Sequence, residues 1–328
     1  MRTSELDYEL PPELIAQHPL DRRDASRLLV YERRTGAIRH RRFGDIADEI
    51  GAGLLVVNDT RVVPARLRLR RPSGGEAEVL LLEPLGGGLW EALARPSRRL
   101  RAGMALLPAM SRGQTPGHGD PGQGVSLVEA LGDGRWHVRL ERDPDGETPL
   151  PPYIREPLDD PERYQTVYAA EPGSAAAPTA GLHFTRDLLA RLAVERVTLH
   201  VGLSTFRPVA SATLEEHEIG SERYAVEADA WERIRLAGRV IAVGTTSTRV
   251  LETLALGGPL SGRTDLFITP GFEFRRVDAL VTNFHLPRST LLALVMAFAG
   301  VEATRRLYET ATEERYRFYS FGDAMLIR

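Results

Sequence analysis

Three short apolar runs, each ending abruptly in polar residues, constrain this chain most. Leu54-Leu55-Val56-Val57 runs into Asn58-Asp59-Thr60-Arg61, Val240 to Val243 into Gly244-Thr245-Thr246-Ser247, and Ala279 to Thr282 into Asn283-Phe284-His285. A continuous apolar run of this length reads as a strand buried on both faces, with its polar tip delivered to a crevice. Arg27–Glu32, Val197–Val201 and Asp265–Ile268 read as further strands. Helices are predicted over Arg186–Glu195, capped by Thr185 with Asp187 in the first turn, over Thr248–Ala255, and from a Ser289 cap to about Ala299. Strands with helices between them predict a mostly parallel, three-layer α/β/α sheet whose strand tips line one crevice.

Between residues 62 and 150 the texture changes to short alternating segments broken by Gly74-Gly75, Gly86-Gly87-Gly88 and the loop-like stretch Ser111 to Gly124. This reads as a small all-β insert. The predicted division is therefore an α/β/α main domain over 1–61 and 151–328, with a β-barrel domain over 62–150 inserted. In Arg66-Leu67-Arg68-Leu69-Arg70 strict alternation places three arginines on one strand face and two leucines on the other. With Arg98 and Arg99 these form either a solvated face or a phosphate-tracking surface.

The chemistry is bounded by what the chain lacks. It has no cysteine and no lysine, so all 42 basic residues of the Lys+Arg count are arginine. Disulfides, thiolate metal sites, cysteine nucleophiles, Schiff bases and a Walker lysine are excluded. Arginine binds oxyanions but does not give up its proton at neutral pH, so proton transfer falls to histidine, carboxylate or tyrosine. No His-Glu-x-x-His or similar spacing predicts a metal site. A net charge of −3 gives no global field toward nucleic acid, so such contact would need a local arginine patch. The longest apolar run, Leu291 to Ala299, is too short to span a bilayer, the first residues do not read as a signal peptide, and a cytoplasmic location is expected.

Candidate site residues cluster at the strand tips. Gly244, Thr245 and Thr246 offer backbone N–H groups and hydroxyls at a helix start, suited to a carboxylate, a phosphate or ribose hydroxyls; helix capping alone would also explain them. Asn58 and Asn283 are the only asparagines, both at tips, where an amide can match an amide or a base edge. Asp59 and Arg61 can orient each other or hold an ammonium and a carboxylate. Of the eight histidines, His183, His200 and His285 lie near predicted tips and could form an acid/base set if they converge. The segment His217-Glu218-Ile219-Gly220 is not counted among the site residues.

Long ordered blocks carry a resemblance. They are Arg23-Asp24-Ala25-Ser26-Arg27-Leu28-Leu29, Asn58 through Leu67, Pro149 through Ile154, Tyr164-Gln165-Thr166-Val167-Tyr168-Ala169, Ala176 through Phe184, Thr198 through Gly202, Ala242 through Ser247, Thr282 through Pro287 and Tyr319 through Met325. In these the chain resembles the S-adenosylmethionine:tRNA ribosyltransferase-isomerase family of queuosine biosynthesis. The resemblance implies an α/β/α domain interrupted by a six-stranded barrel. It implies that the ribosyl group of S-adenosylmethionine is moved onto the 7-aminomethyl group of a 7-deazaguanine at the wobble position of tRNA and rearranged, giving epoxyqueuosine-tRNA, adenine and methionine.

S-adenosylmethionine would be consumed as donor, with no other cofactor, and a monomer without membrane contact is expected. The sulfonium acidifies the ribose 5′ carbon, so a base need remove only an activated proton. The expected roles are His183 or His285 as proton shuttle and Asp59 as orienting or ammonium-binding carboxylate. Arg61 would meet the methionine carboxylate, with Asn58, His200, Gly244, Thr245, Thr246 and Asn283 around the substrate. Arg66, Arg68, Arg70, Arg98 and Arg99 would lie on the tRNA backbone. Alternatives are a tRNA methyltransferase and a noncatalytic RNA-binding protein. The chain departs from the family pattern at Leu203-Ser204-Thr205-Phe206, where a glycine usually precedes Thr-Phe. It departs again at Gly220, where a second histidine is common, and at Ser97-Arg98-Arg99, where Gly-Arg-Lys is usual.

Overall fold

The computed structural model describes residues 1–108, 124–202 and 208–328; the departure at Leu203–Phe206 and most of the Ser111–Gly124 loop fall outside them. The fold is mixed α/β, and the chain divides into two compact units: residues 1–61, 151–171 and 177–328, and residues 62–150 with 172–176.

The first unit is built on a nine-stranded sheet in the order Ser261–Thr264, Glu222–Ala225, Ala193–Leu199, Leu54–Asn58, Val240–Val243, Ala279–Asn283, Ala324–Ile327, Arg27–Glu32, Ala37–Arg42. The strands of Ala193, Leu54, Val240 and Ala279 run parallel. Val240–Val243 and Ala279–Asn283 are buried at every position, as continuous apolar runs require. Their shared direction brings Asn58, Gly244 and Asn283 to one edge. The sheet is not mostly parallel, however. Ala324–Ile327 lies antiparallel to Ala279–Asn283 although parallel to Arg27–Glu32, and both outer margins are antiparallel. These margins are short strands and hairpins, too weakly apolar to announce their direction. One core face holds Phe43, Leu55, Val57, Phe184, Ile241, Val281 and Leu326.

Four predicted elements change, among them the Val197–Val201 strand, which spans Ala193–Leu199. The helix predicted over Arg186–Glu195 is one turn, Arg186–Leu189, although Thr185 caps it as expected, its Oγ1 accepting from the Leu188 N–H at 3.2 Å. The chain enters a strand at Ala193 because Val194 and Val197, β-branched, find a parallel partner in Leu54–Asn58. The strand predicted over Asp265–Ile268 lies earlier, at Ser261–Thr264. In the predicted stretch the Leu266 carbonyl accepts from Arg249 Nε at 3.1 Å, so a side chain uses the group a ladder would need. The helix predicted from Thr248 begins at Gly244, whose φ of 86° turns strand directly into helix. Ser289 caps Thr290–Ala299 as expected, accepting from Leu292 N–H at 3.1 Å.

In the second unit six antiparallel strands, Arg66–Arg70, Glu76–Gly86, Leu89–Arg95, Ala105–Pro108, Val125–Gly132 and Arg135–Leu140, close into a barrel. Leu67 and Leu69 point inward to Val79, Leu81, Leu127 and Trp136, so the strict alternation is resolved with the arginines outward.

Candidate active site

The Gly244–Ala255 helix starts where the parallel tips end. Beside it lies a cleft of about 240 Å³, whose described lining includes Thr245, Thr246 and Arg249 from that helix, Thr290 and Leu294 from the next, Glu222, and His217. Thr246 Oγ1 and, one residue on, Ser247 Oγ are both buried without a hydrogen-bond partner. A buried orphan hydroxyl is costly, so its presence at a helix N-terminus that also lines a cleft points to a ligand oxygen that completes it. Arg249 is held at the cleft by an ion pair with Glu222 and by donation to the Leu266 and Thr264 carbonyls. Glu222 also accepts from Gly202 N–H at 2.8 Å. The positive charge is therefore neutralised and fixed. Phe267, Leu291 and Leu294 supply the apolar wall.

His217 packs edge-on to Phe267, ring centres 5.5 Å apart, and burial lowers its pKa below the usual histidine value. It is thus neutral near pH 7 and able to accept a proton. Glu222 and Arg249 were not reached from the sequence, since a strand-edge glutamate and a mid-helix arginine carry no local signal; His217 was set aside because of the departure at Gly220, yet it lines the cleft.

The predicted acid/base histidines do not converge. His183 ends the Thr179–His183 turn, with Nδ1 2.7 Å from Ser26 Oγ and Nε2 3.1 Å from the Asn283 amide nitrogen, stacked on Phe43. His285 has Nε2 2.7 Å from Thr282 Oγ1. Thr282 and Asn283 are successive strand residues and face opposite sides of the sheet, so the two rings lie on opposite sides. Burial depresses both to about 3, with Arg317 and Arg23 adding to the effect at His183. Neither lines the cleft. His200 sits elsewhere again, Nδ1 2.9 Å from Thr60 Oγ1.

Both asparagines are engaged internally. Asn58, fully buried, donates to the Leu199 carbonyl at 2.9 Å and accepts from Leu199 and Thr60 N–H at 3.0 and 3.2 Å. Asn283 accepts from Thr179 Oγ1 at 3.0 Å and donates toward His183. Their amides tie strand tips to neighbouring backbone and turn, which is a reason for asparagine at these positions that does not involve a base edge. Asp59 accepts from Thr198 Oγ1 at 2.7 Å, and burial raises its pKa. Arg61 pairs with Glu162 at 2.5 Å rather than with Asp59.

In the barrel unit Arg68 forms a two-pronged pair with Glu147, at 2.7 and 3.1 Å. Glu78 and Glu76 stand opposite Arg68 and Arg70 in register. Arg66 is partly buried, while Arg98 and Arg99 are exposed on the Ser97–Arg99 turn.

A cleft at the carboxyl edge of an α/β sheet, with an orphan hydroxyl at a helix start, a fixed guanidinium and a histidine beside an apolar wall, is an arrangement that can meet the oxygens of a polar small molecule. The chain belongs to the queuosine biosynthesis protein family, whose sequence model it matches over residues 3–327. It is 54% identical to the S-adenosylmethionine:tRNA ribosyltransferase-isomerase of Rubrobacter xylanophilus, covering 100% of this chain and 98% of that one. It is 51% identical to the protein of that name in Carboxydothermus hydrogenoformans, with both chains fully covered. The crystal structure of an S-adenosylmethionine tRNA ribosyltransferase from Thermotoga maritima is similar at a TM-score of 0.56 and 38% identity, covering 99% of this chain and 100% of that one.

Proposed function

We propose that this protein transfers and isomerises the ribosyl group of S-adenosylmethionine onto the 7-aminomethyl-7-deazaguanine at the wobble position of tRNA, giving epoxyqueuosine-tRNA and releasing adenine and methionine. The observation that carries this reading is full-length identity of 51–54% to two relatives bearing the name of that activity. S-adenosylmethionine is the consumed donor and no further cofactor is invoked. The protein works as a cytoplasmic monomer, and no described helix is long and apolar enough to cross a membrane. In this reading residues 1–61 and 151–328 form a three-layer α/β/α main domain and residues 62–150 an inserted small β-barrel domain, with Pro172–Ala176 grouped by contact with the barrel.

The cleft beside the Gly244–Ala255 helix start holds donor oxygens, carboxylate or ribose, through the first-turn amides and the Thr246 hydroxyl. The apolar wall excludes water from the reacting sulfonium. His217 is the better placed acceptor for the acidified 5′ proton, because it lines the cleft and is neutral, whereas His183 and His285 act as neutral positioning groups for the Asn283 tip. Asp59 and Arg61 lie beside the Leu54–Asn58 tip as secondary candidates for the methionine end. Arg98 and Arg99 are the leading tRNA-backbone contacts, with Arg68 and Arg70 more fully balanced by glutamates and Arg66 partly buried.

The test is incubation with S-adenosylmethionine and tRNA bearing the aminomethyl base, with mass analysis of digested nucleosides and released small molecules. Epoxyqueuosine with adenine and methionine is the expected result. S-adenosylhomocysteine as product would replace ribosyl transfer with methyl transfer, and an unmodified tRNA in the presence of an active control would sink both.

A further inference from the structure

The Nδ1 side of His183, away from Asn283, meets a narrow cleft of about 20 Å³ lined by Arg23, Arg163, Ser26, His183 and Ser320. Arg23 and Arg163 have no carboxylate partner among the described residues. Their guanidinium groups donate to main-chain carbonyls instead: Arg23 to Leu182 and Glu162 at 3.1 and 3.0 Å, Arg163 to Asp21 and Leu20 at 3.1 and 2.5 Å. The nearby carboxylates are committed elsewhere. Asp160 accepts from Glu162 N–H, Glu162 pairs with Arg61, Asp24 with Arg22, and Asp323 accepts from the backbone of Arg27 and Arg317. Arg163 Nε and Arg317 Nη1 are buried and unpartnered. Burial and the like charge of Arg163 both lower the Arg23 pKa. Asp160 and Glu162 offset part of this from a distance, without an ion pair to Arg23; two half-buried like charges with no directly paired carboxylate are favoured further when an anion joins them.

We propose that this cleft is an oxyanion subsite in which Arg23 and Arg163 grip one phosphodiester of a nucleic-acid backbone. The inference rests on the reading of the chain as a tRNA-modifying enzyme and adds a contact that neither the barrel arginines nor the donor cleft supplies. A cleft of about 20 Å³ admits one oxygen-sized atom and leaves the rest of the group outside, which a phosphate still joined to its polymer can satisfy. Arginine suits the task because its planar fork meets two oxygens of one phosphate.

The test measures tRNA binding by the full chain across a salt series for the wild type, R23Q, R163Q and R163K, with melting curves for each. R23Q and R163Q should weaken binding by about tenfold and reduce the slope of log K against log salt by about 0.7–0.9. R163K should keep the slope, and donor binding should be unchanged in all three. Wild-type slopes in R23Q and R163Q would overturn the subsite while leaving the proposed function standing. A slope lost in R163K together with a lowered melting point would assign Arg163 to structure and also overturn it. Inorganic phosphate bound by wild type but not by R163Q, with tRNA slopes unchanged, would make this a free-anion site and overturn the backbone assignment. A wild type that binds no tRNA would overturn the proposed function and this inference with it.

Discussion

Single residues in this protein divide between those that hold the strand tips and those that face the cleft. His183 and His285 belong to the first group, and their depressed pKa has a consequence for stability. The folded form binds these protons only near pH 3, while the unfolded chain binds them near 6.5. Stability supplied by the neutral rings is present above about pH 6.5 and is lost as pH falls toward 3. Melting temperature should therefore drop between pH 7 and 4, and His183→Gln should flatten that dependence, which thermal melts at each pH would check. Thr246 belongs to the second group. Thr246→Val removes an orphan buried hydroxyl, so the free protein should melt no lower, yet S-adenosylmethionine should bind roughly 3- to 10-fold more weakly by calorimetry. His217→Ala should cut turnover by about 10² or more under saturating substrates, and normal turnover would return proton transfer to an unassigned group. Asn58 and Asn283 were legible as special because they are the only asparagines, but their partners were not. Leu199, Thr179 and His183 are remote in sequence, and nothing local reveals them.

Among elements, legibility followed the strength of the local signal. The Val240–Val243 strand and the Ser289 cap are found where apolar continuity and capping chemistry place them. Arg186–Glu195 failed because a good cap starts a helix without sustaining it, and Val194 and Val197 gain more from the neighbouring strand. The Asp265–Ile268 strand failed because Arg249, from a helix, takes the Leu266 carbonyl. The turn from Val243 into the helix is the element on which the cleft depends. Gly244→Ala would force a side chain into φ 86°, costing about 1 kcal/mol and displacing the first turn. Its expected signature is a raised KM for S-adenosylmethionine with a small fall in melting temperature; unchanged KM would separate the cleft from the turn.

At the scale of the molecule, the change of texture near residues 62 and 150 was legible because a barrel alternates with period two while the buried strands do not. Which arginines keep an available charge was not, because strand register brings Glu78 and Glu76 to Arg68 and Arg70, and Glu147, from outside the strands, pairs with Arg68. R98E and R99E should thus lower tRNA affinity and the salt slope more than R68E, whose charge is already paired; filter or anisotropy titrations at several salt concentrations decide it. Equal effects would mean that the barrel face acts as a diffuse field.

The strand Ala324–Ile327, buried at all four positions, is inserted between Arg27–Glu32 and Ala279–Asn283. Until it arrives, a chain emerging from the ribosome carries its sheet as two unjoined parts, of six strands and of two, each with an open, hydrogen-bonding edge flanked by apolar side chains. Synthesis therefore exposes sticky intermediates until this strand is made, and the protein's dependence on chaperones should be concentrated in the interval before those four residues leave the exit tunnel.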